Sequence, residues 1–181
     1  MQKKLSQMTL EELWQLFPII LTEPDPRWIM WYAEEEALLQ DVMPANLAVR
    51  ISHIGSTAIH GIWAKPIVDI LVEAASDANL AQADAPLALA GFRRMHAEEN
   101  RRSYNKGYTE QGFAEKVFHL HLVRTGEQPE LLFRDYLNKH PYEAKAYEAL
   151  KLSLWKRYEH DRDGYTHAKA DFVADILHKA K

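Results

Sequence analysis

The sequence contains no cysteine in its 181 residues. Disulfide bridges, thiolate zinc sites, iron–sulfur clusters and a cysteine nucleophile are therefore excluded. Long apolar runs are also lacking, because the best run, residues 17–21, is far shorter than the ~18 apolar residues of a membrane span. The first seven residues carry two lysines with no apolar stretch behind them, so they do not predict a secretory signal. We expect a cytoplasmic protein that does not contact a membrane.

An excess of positive charge is missing as well. The chain has 22 Lys and Arg against 26 Asp and Glu, a net charge of −4 at pH 7. This balance argues against binding along duplex nucleic acid, which needs a basic surface. It leaves room for a local basic pocket that binds one phosphorylated small molecule. Hydrophobic residues make up 47% of the chain, which is enough for a folded core in one domain.

The hydrophobic pattern changes twice along the chain. Thr9 and Glu12 have capping-box spacing and predict a short first helix, and a second helix is expected from Asp25-Pro26 to about Asp41. Residues 47–98 then show a period of two, which is typical of strands, with one alanine-rich helix at 77–90. We predict an α+β fold with a mixed sheet and flanking helices, in three regions: an N-terminal helical extension at 1–20, a core at 21–128 and a C-terminal helical segment packed on the core at 129–181.

Further strands are predicted at 92–96 and 115–124. The polar segment between them contains Arg101, Arg102, Asn105 and Lys106, and its glycines favour a loop or a hairpin. The basic residues of this segment form either an anion site opposite Asp69 or ordinary loop charge.

A turn of Gly55-Ser56-Thr57 follows the first strand, and Asp69 lies in the next one. Glycine lets the backbone approach a phosphate closely, and Ser and Thr offer hydroxyl groups to its oxygens. The alternative is an ordinary turn with a helix cap. Asp69 stands in the apolar run Ile67 to Val72, where a carboxylate is costly to bury unless a cation or hydrogen-bond donors satisfy it. Lys65, at the entrance of this strand, either neutralises a phosphate or is a solvated strand-end lysine.

His119 and His121 stand two residues apart in an apolar strand, so both imidazoles project from one face. Neutral imidazole is a common ligand of transition metals, and Asp69 adds an oxygen, so these three residues can supply ligands to one metal ion. The alternative is a pair of histidines hydrogen-bonded in a polar cleft.

Several motifs, in order, resemble the signature of the GrpB family. They are His53-Ile54-Gly55-Ser56-Thr57-Ala58, Gly61, Ala64 to Ile70, His119 to Val123, Leu132 to Leu137, Tyr147 with Leu150-Lys151, and Tyr165 with Ala168-Lys169. The resemblance begins at about Leu21, and His60 stands where the family usually has proline. It implies a nucleotidyltransferase-like fold in which a Gly-Ser turn holds a nucleotide and carboxylates bind divalent metal. Leu71 occupies the position of the second carboxylate, which a two-metal mechanism requires.

The residue patterns and the resemblance together predict a site with two groups of residues. Asp69, His119 and His121 are the expected catalytic and metal-binding residues, with Mg²⁺, Mn²⁺ or Zn²⁺ as the metal. The expected nucleotide or phosphate ligands are His53, Gly55, Ser56, Thr57, Lys65, Arg102, Arg134 and Lys151. Family members also occur joined to dephospho-CoA kinase, which suggests coenzyme A precursors or adenine nucleotides as ligands.

Two hypotheses about function remain open at this level. In the first, the protein is a nucleotidyltransferase-like enzyme that uses a metal held by Asp69. In the second, it is a non-catalytic module that binds a nucleotide or a coenzyme A precursor and regulates or scaffolds a protein partner. Leu71 favours the second hypothesis, and a buried Asp69 beside two histidines favours the first.

Overall fold

A computed structural model describes residues 3–126 and 128–181, and it is built around one five-stranded mixed sheet. The strand order is β1-β2-β5-β4-β3, and only the β2–β5 pair is parallel. The strands are β1 (Ala48–Ile54), β2 (Val68–Ala74), β3 (Arg93–Ala97), β4 (Arg101–Thr109) and β5 (Gly112–Arg124). The α+β fold class with a mixed sheet is therefore confirmed.

Seven α-helices of the described part flank this sheet. They are α1 (Leu10–Leu16), α2 (Arg27–Val42), α3 (Asp84–Leu89), α4 (Pro129–Lys139), α5 (Pro141–Trp155), α6 (Arg162–His167) and α7 (Ala170–Ala180). Short 3₁₀ turns occur at Leu5–Gln7, Ser56–Ala58 and Leu80–Ala83. No described helix is both long enough and apolar enough to cross a bilayer.

The two faces of the sheet carry different cores because side chains alternate along each strand. On one face, here the α2 face, Val68, Ile70 and Val72 join the largest hydrophobic cluster, to which α2 contributes Trp28 and Trp31. On the other, the α4 face, Leu71 packs against Ile54, Val123 and Leu131. The period of two predicted across residues 47–98 is therefore observed in β2.

The helices after residue 128 share a core with the turn that follows β1. Ile59 and Ile62 pack with Leu137, Tyr147 and Ile176 in one cluster. The Asn138 side chain also accepts a hydrogen bond from the His60 N–H at 2.9 Å and donates one to the Ala58 carbonyl at 3.0 Å. These contacts place α4, α5 and α7 over the segment that precedes β2.

The capping box of α1 and the start of α2 agree with the sequence. Glu12 accepts from the Thr9 N–H at 2.7 Å, and the Thr9 hydroxyl accepts from the Glu12 N–H at 3.2 Å. Pro26 precedes the first residue of α2, and the Asp25 carboxylate accepts from the Arg27 N–H at 2.9 Å.

Two local predictions need correction. The polar segment after residue 100 is a strand, β4, so the hairpin interpretation holds and the loop interpretation is wrong. Only Tyr104 of β4 is buried, which explains why its apolar alternation is weak. The helix expected at 77–90 is limited to α3 preceded by a 3₁₀ turn, because Asn79 caps that turn through the Ala81 N–H.

Thr57 connects the turn after β1 to the entrance of β2. Its hydroxyl donates to the Ile67 carbonyl at 3.2 Å and contacts His53 Nε2 at 2.9 Å. We expect Thr57→Val, which keeps the shape, to lower the free energy of unfolding by about 1–3 kcal/mol, since two buried polar groups lose a partner. Thr125→Val, at an exposed position, is the control and should change urea unfolding very little. Equal effects of the two substitutions would contradict this role for Thr57.

Candidate functional site

A cavity of about 180 Å³ lies at the edge of the α4 face, between the sheet and the C-terminal helices. Its polar lining converges from segments far apart in the sequence: the turn after β1, the entrance of β2, the strands β2 and β5, and the helices α5 and α6. The lining residues are Leu21, Ser56, Lys65, Ile67, Asp69, His119, Tyr147, Lys151, Tyr165 and Lys169. We call it the lysine cavity.

Asp69 is the one carboxylate of this lining. It stands opposite His119 in the parallel β2–β5 register, so the two side chains project from the same face. His119 Nδ1 lies 3.1 Å from Asp69 Oδ1. Burial alone would raise the pKa of Asp69, but the hydrogen bond to His119 and the electrostatic effect of the nearby histidines and Lys65 outweigh burial and hold the pKa below its usual value.

Gly55 is required beside this carboxylate. Its backbone has φ +71° and ψ −172°, a region that residues with a Cβ rarely adopt. A Cβ at this position would also collide with the carboxylate of Asp69. The turn therefore brings backbone and Asp69 into direct contact, and Ser56 follows at the rim of the cavity.

Three lysines reach the cavity from different elements. Burial lowers the pKa of Lys65 to about 7, with repulsion from Lys169 and Arg162 acting in the same direction. Burial likewise lowers the pKa of Lys151 to about 7 and that of Lys169 to about 8. Lys151 donates to the Trp63 carbonyl, and the ammonium groups of Lys65 and Lys169 lie 5.0 and 4.3 Å from the centre of the Tyr165 ring. No carboxylate among the described residues forms an ion pair with any of the three.

The second nitrogen of His119 is also engaged. Its Nε2 lies 2.7 Å from the hydroxyl of Tyr108, and that hydroxyl accepts from Arg162 at 3.2 Å. A chain of polar contacts thus runs from Asp69 through His119 and Tyr108 to Arg162.

The structure does not bring every predicted site residue to the cavity. His53 lies on the α2 face opposite Ile70, where it stacks on Tyr32, and burial lowers its pKa to about 4. Arg102 is on the same α2 face and pairs with Asp84 at 2.7 Å. Arg134 donates to the His53 carbonyl at 2.7 Å and therefore supports β1 from outside the lining.

His121 shares the face of Asp69 but lies one step further along β5, opposite Leu71. It does not line the cavity, and its buried Nδ1 has no hydrogen-bond partner among the described residues. Across residues 3–126 and 128–181, no three His, Asp or Glu side chains are grouped to hold a metal ion. Asp69, His119 and His121 therefore do not fit a shared metal site, and metal use by this protein stays a prediction.

Three polar residues of the lining were not among those predicted for the site: Tyr147, Tyr165 and Lys169. All three come from the helical segment, where they belong to the motifs that resemble the GrpB signature but were assigned no role at the site. A signal was present in the sequence, because Tyr165 and Lys169 are four residues apart, as are Tyr147 and Lys151, and such pairs share one helix face. The Tyr147 hydroxyl is hydrogen-bonded to Ser56, and burial raises the pKa of Tyr147 to about 12.

The fold and the cavity define an α+β protein with a cationic site between a mixed sheet and a helical tail. The family model described as "GrpB protein" matches residues 18–179, so the chain belongs to the GrpB family. The crystal structure of the conserved protein GrpB from Enterococcus faecalis superimposes with a TM-score of 0.76 at 27% identity, over 89% of this chain and 96% of that chain.

Two curated relatives differ in length from this chain. A UPF0157 protein of Pseudomonas aeruginosa is 35% identical over 159 residues, which cover 86% of this chain and 65% of the relative. A protein of Mycolicibacterium paratuberculosis named dephospho-CoA kinase is 28% identical over 90% of this chain, but the match covers only 46% of the kinase. The expected association of the family with that kinase is thus confirmed. The chain spans about two thirds of the first relative and about half of the second.

Gly55 and Gly61 allow a matched test of the contact with Asp69. Both have positive φ, +71° and +69°, but a Cβ at Gly61 would meet nothing within 4 Å. We expect Gly61→Ala to lower the free energy of unfolding by about 1–2 kcal/mol through backbone strain alone. Gly55→Ala should lower it by about 3 kcal/mol or more, because it must also displace the carboxylate. Similar losses in urea unfolding would show that the close approach to Asp69 is not a constraint.

Proposed function

We propose that this protein binds a nucleotide or a related phosphorylated small molecule and holds its phosphate in the lysine cavity. The observation that carries the proposal is the convergence of Lys65, Lys151 and Lys169 on a site whose lining contains a single carboxylate. Buried ammonium groups without ion partners are unfavourable, and a phosphate dianion would satisfy them with charge-assisted hydrogen bonds. Ser56 adds a hydroxyl group at the rim.

The size of the cavity supports the same assignment. Pockets that enclose a whole small molecule usually measure ~300–1,000 Å³. The lysine cavity, at about 180 Å³, is large enough for a phosphate group but not for a complete nucleotide. The organic part of the ligand would therefore extend beyond the lysines.

The first candidate activity is transfer of a nucleotidyl or other phosphoryl group. Asp69 and His119 are hydrogen-bonded to each other inside the cavity, so this pair is placed to take up a proton from an attacking hydroxyl group. The lysines would bind the phosphate oxygens and orient them. The name of the mycobacterial relative supports coenzyme A precursors and adenine nucleotides as the first ligands to test.

The second candidate is a non-catalytic binding module, and Leu71 favours it. This residue stands where a nucleotidyltransferase pattern has its second carboxylate, and it is fully buried among Ile54, Val123 and Leu131. An apolar cluster at that point cannot clamp a second metal ion. Binding without turnover is the outcome that would support this candidate.

Loss of one lysine should weaken phosphate binding while leaving the fold intact. In calorimetric titrations with ATP, AMP, dephospho-CoA and inorganic phosphate, we expect Lys169→Met to reduce affinity about tenfold, the value of one charge-assisted hydrogen bond. Lys156→Met removes an exposed lysine that pairs with Glu159 and is the matched control. Unchanged affinity in Lys169→Met, or no binding of any of these ligands to the wild type, would overturn the proposal.

The same titrations decide whether a metal takes part. Asp69→Asn should strengthen phosphate binding in the presence of EDTA, because it removes the one negative charge of the lining. If a divalent metal bridges Asp69 to the phosphate, the same substitution should weaken binding, and wild-type binding should require added Mg²⁺ or Mn²⁺. Turnover that is lost in Asp69→Asn while binding persists would favour the enzyme over the module.

Phosphate binding should also depend on pH in a defined direction. The pKa values of about 7, 7 and 8 mean that the unliganded lysines lose protons as the pH rises from 7 to 9. A bound dianion favours the protonated lysines, so binding takes up protons and affinity should fall across this window. Sulfate, which stays a dianion throughout, should show the same fall. An affinity for sulfate that is flat from pH 7 to 9 would contradict binding by these lysines.

The stability of the unliganded protein should change in the opposite sense. In the unfolded chain lysines titrate near their ordinary value of ~10.4, so between about pH 7 and 10 the unfolded state holds more protons than the folded state. Stability without ligand should therefore rise with pH in this range, while the stabilisation by phosphate falls. Chemical unfolding at pH 7 and pH 9, with and without phosphate, measures both trends.

A further inference from the structure

A second and larger cavity lies between the N-terminal extension and the outer strands of the sheet. Its volume is about 460 Å³, within the ~300–1,000 Å³ of small-molecule sites. One wall comes from α1 and the residues around it, and the other comes from β3, β4 and Arg162. We call it the extension groove. The family match begins only at residue 18, so one wall of this groove lies outside the family pattern.

The charged side chains that line the groove are all positive. Its lining includes Arg93, Arg94, Lys106 and Arg162 but no Asp or Glu. Lys106 pairs with Glu35 at 2.7 Å, and Arg94 pairs with Asp84 at 2.5 Å, so these two cations are compensated from outside the groove.

The other two cations are not compensated. Arg93 is exposed on β3, and no described residue pairs with it. Arg162 makes its hydrogen bond to the neutral hydroxyl of Tyr108 and has no carboxylate partner in the part of the chain that the structure describes. Two guanidinium groups are thus available to an anion, which they can bind through paired N–H donors.

Most of the remaining side chains of the lining are apolar or aromatic. Trp14 and Tyr108 contribute aromatic rings, and Leu10 and Met95 keep 56% and 57% of their surface exposed. Exposed apolar side chains beside aromatic rings are typical of sites that bind the flat body of an organic ligand. The groove therefore combines an apolar surface with two arginines that have no carboxylate partner among the described residues.

We propose that the extension groove is a second binding site, which takes a small aromatic anion: a carboxylate or phosphate attached to a planar ring. The ring packs between Trp14 and Met95, and the anionic group contacts Arg93 and Arg162. The proposal does not depend on the function of the lysine cavity, because the two cavities share no lining residue.

The two sites are nevertheless in contact through one hydrogen bond. Tyr108 lines the groove, His119 lines the lysine cavity, and the Tyr108 hydroxyl is 2.7 Å from His119 Nε2. An anion that binds Arg162 competes with its hydrogen bond to Tyr108. Occupancy of the groove would then alter the polar chain that ends at Asp69.

Calorimetric titration with 1-naphthoate tests the proposal on the full chain. We expect binding of 1-naphthoate, at least tenfold weaker binding of the uncharged 1-naphthalenemethanol, and no measurable binding of acetate. Arg93→Gln and Trp14→Leu should each weaken 1-naphthoate binding fivefold or more. Arg157→Gln, an exposed arginine that stacks on Tyr158 away from the groove, is the matched control and should leave the affinity unchanged.

The variant Lys169→Met distinguishes binding in the groove from binding in the lysine cavity. If 1-naphthoate binds in the groove, this variant should leave its affinity unchanged. Loss of 1-naphthoate binding in this variant would place the anion in the lysine cavity and overturn the proposal. Absence of binding to the wild type, or equal affinities of wild type, Arg93→Gln and Trp14→Leu, would also overturn it. Arg93 is exposed and unpaired, so its variant should unfold at the wild-type temperature and give an interpretable result.

Discussion

The position of Asp69 is the constraint on which the candidate site depends. Its side chain keeps only 26% of its surface exposed, so the carboxylate loses much of its hydration and the surrounding structure must replace what water would supply. The replacement comes from three directions: the Gly55 backbone lies against the carboxylate, His119 bonds to it across the parallel strand pair, and Lys65 places positive charge near it. The Asp69 carboxylate therefore fixes the relative positions of the turn after β1, the β2–β5 strand pair and Lys65.

Much of this arrangement follows from alternation in the sequence. When the two faces of a strand pack against two different cores, a shift by one residue would exchange the faces, so the register is fixed. The side of the sheet on which Asp69, Leu71 and His119 lie could therefore be predicted. Which of these residues reach the cavity could not be predicted. That depends on the position along the strand at which the C-terminal helices cover the sheet. Successive residues on one face are ~6.6 Å apart, which is why His119 reaches the cavity and His121 lies beyond it.

The parts that sequence reasoning did not find share a physical reason. β4 carries one buried residue, Tyr104, and its other side chains are half-buried and polar, so its pattern resembles that of a loop. Tyr147, Tyr165 and Lys169 face the cavity from helices whose position is decided by contacts far apart in the chain, such as those of Ile59 and Ile62 with α5 and α7. Helical spacing identifies the face of a helix but not what that face meets.

Positive charge can be brought to a phosphate in two ways, by metal ions held on carboxylates or by the side chains themselves. Leu71, where the nucleotidyltransferase pattern predicts a second carboxylate, is buried, while Lys65 precedes β2, Lys151 lies in α5 and Lys169 precedes α7. Each ammonium group that loses hydration in the cavity opposes folding when no anion is bound, and a bound anion would offset part of that cost. The retained Asp69 limits this excess charge, and it also keeps His119 oriented toward the cavity. If the cavity binds a phosphate group as we propose, the site is most stable when a dianion occupies it, and that property is the same for an enzyme and for a binding module.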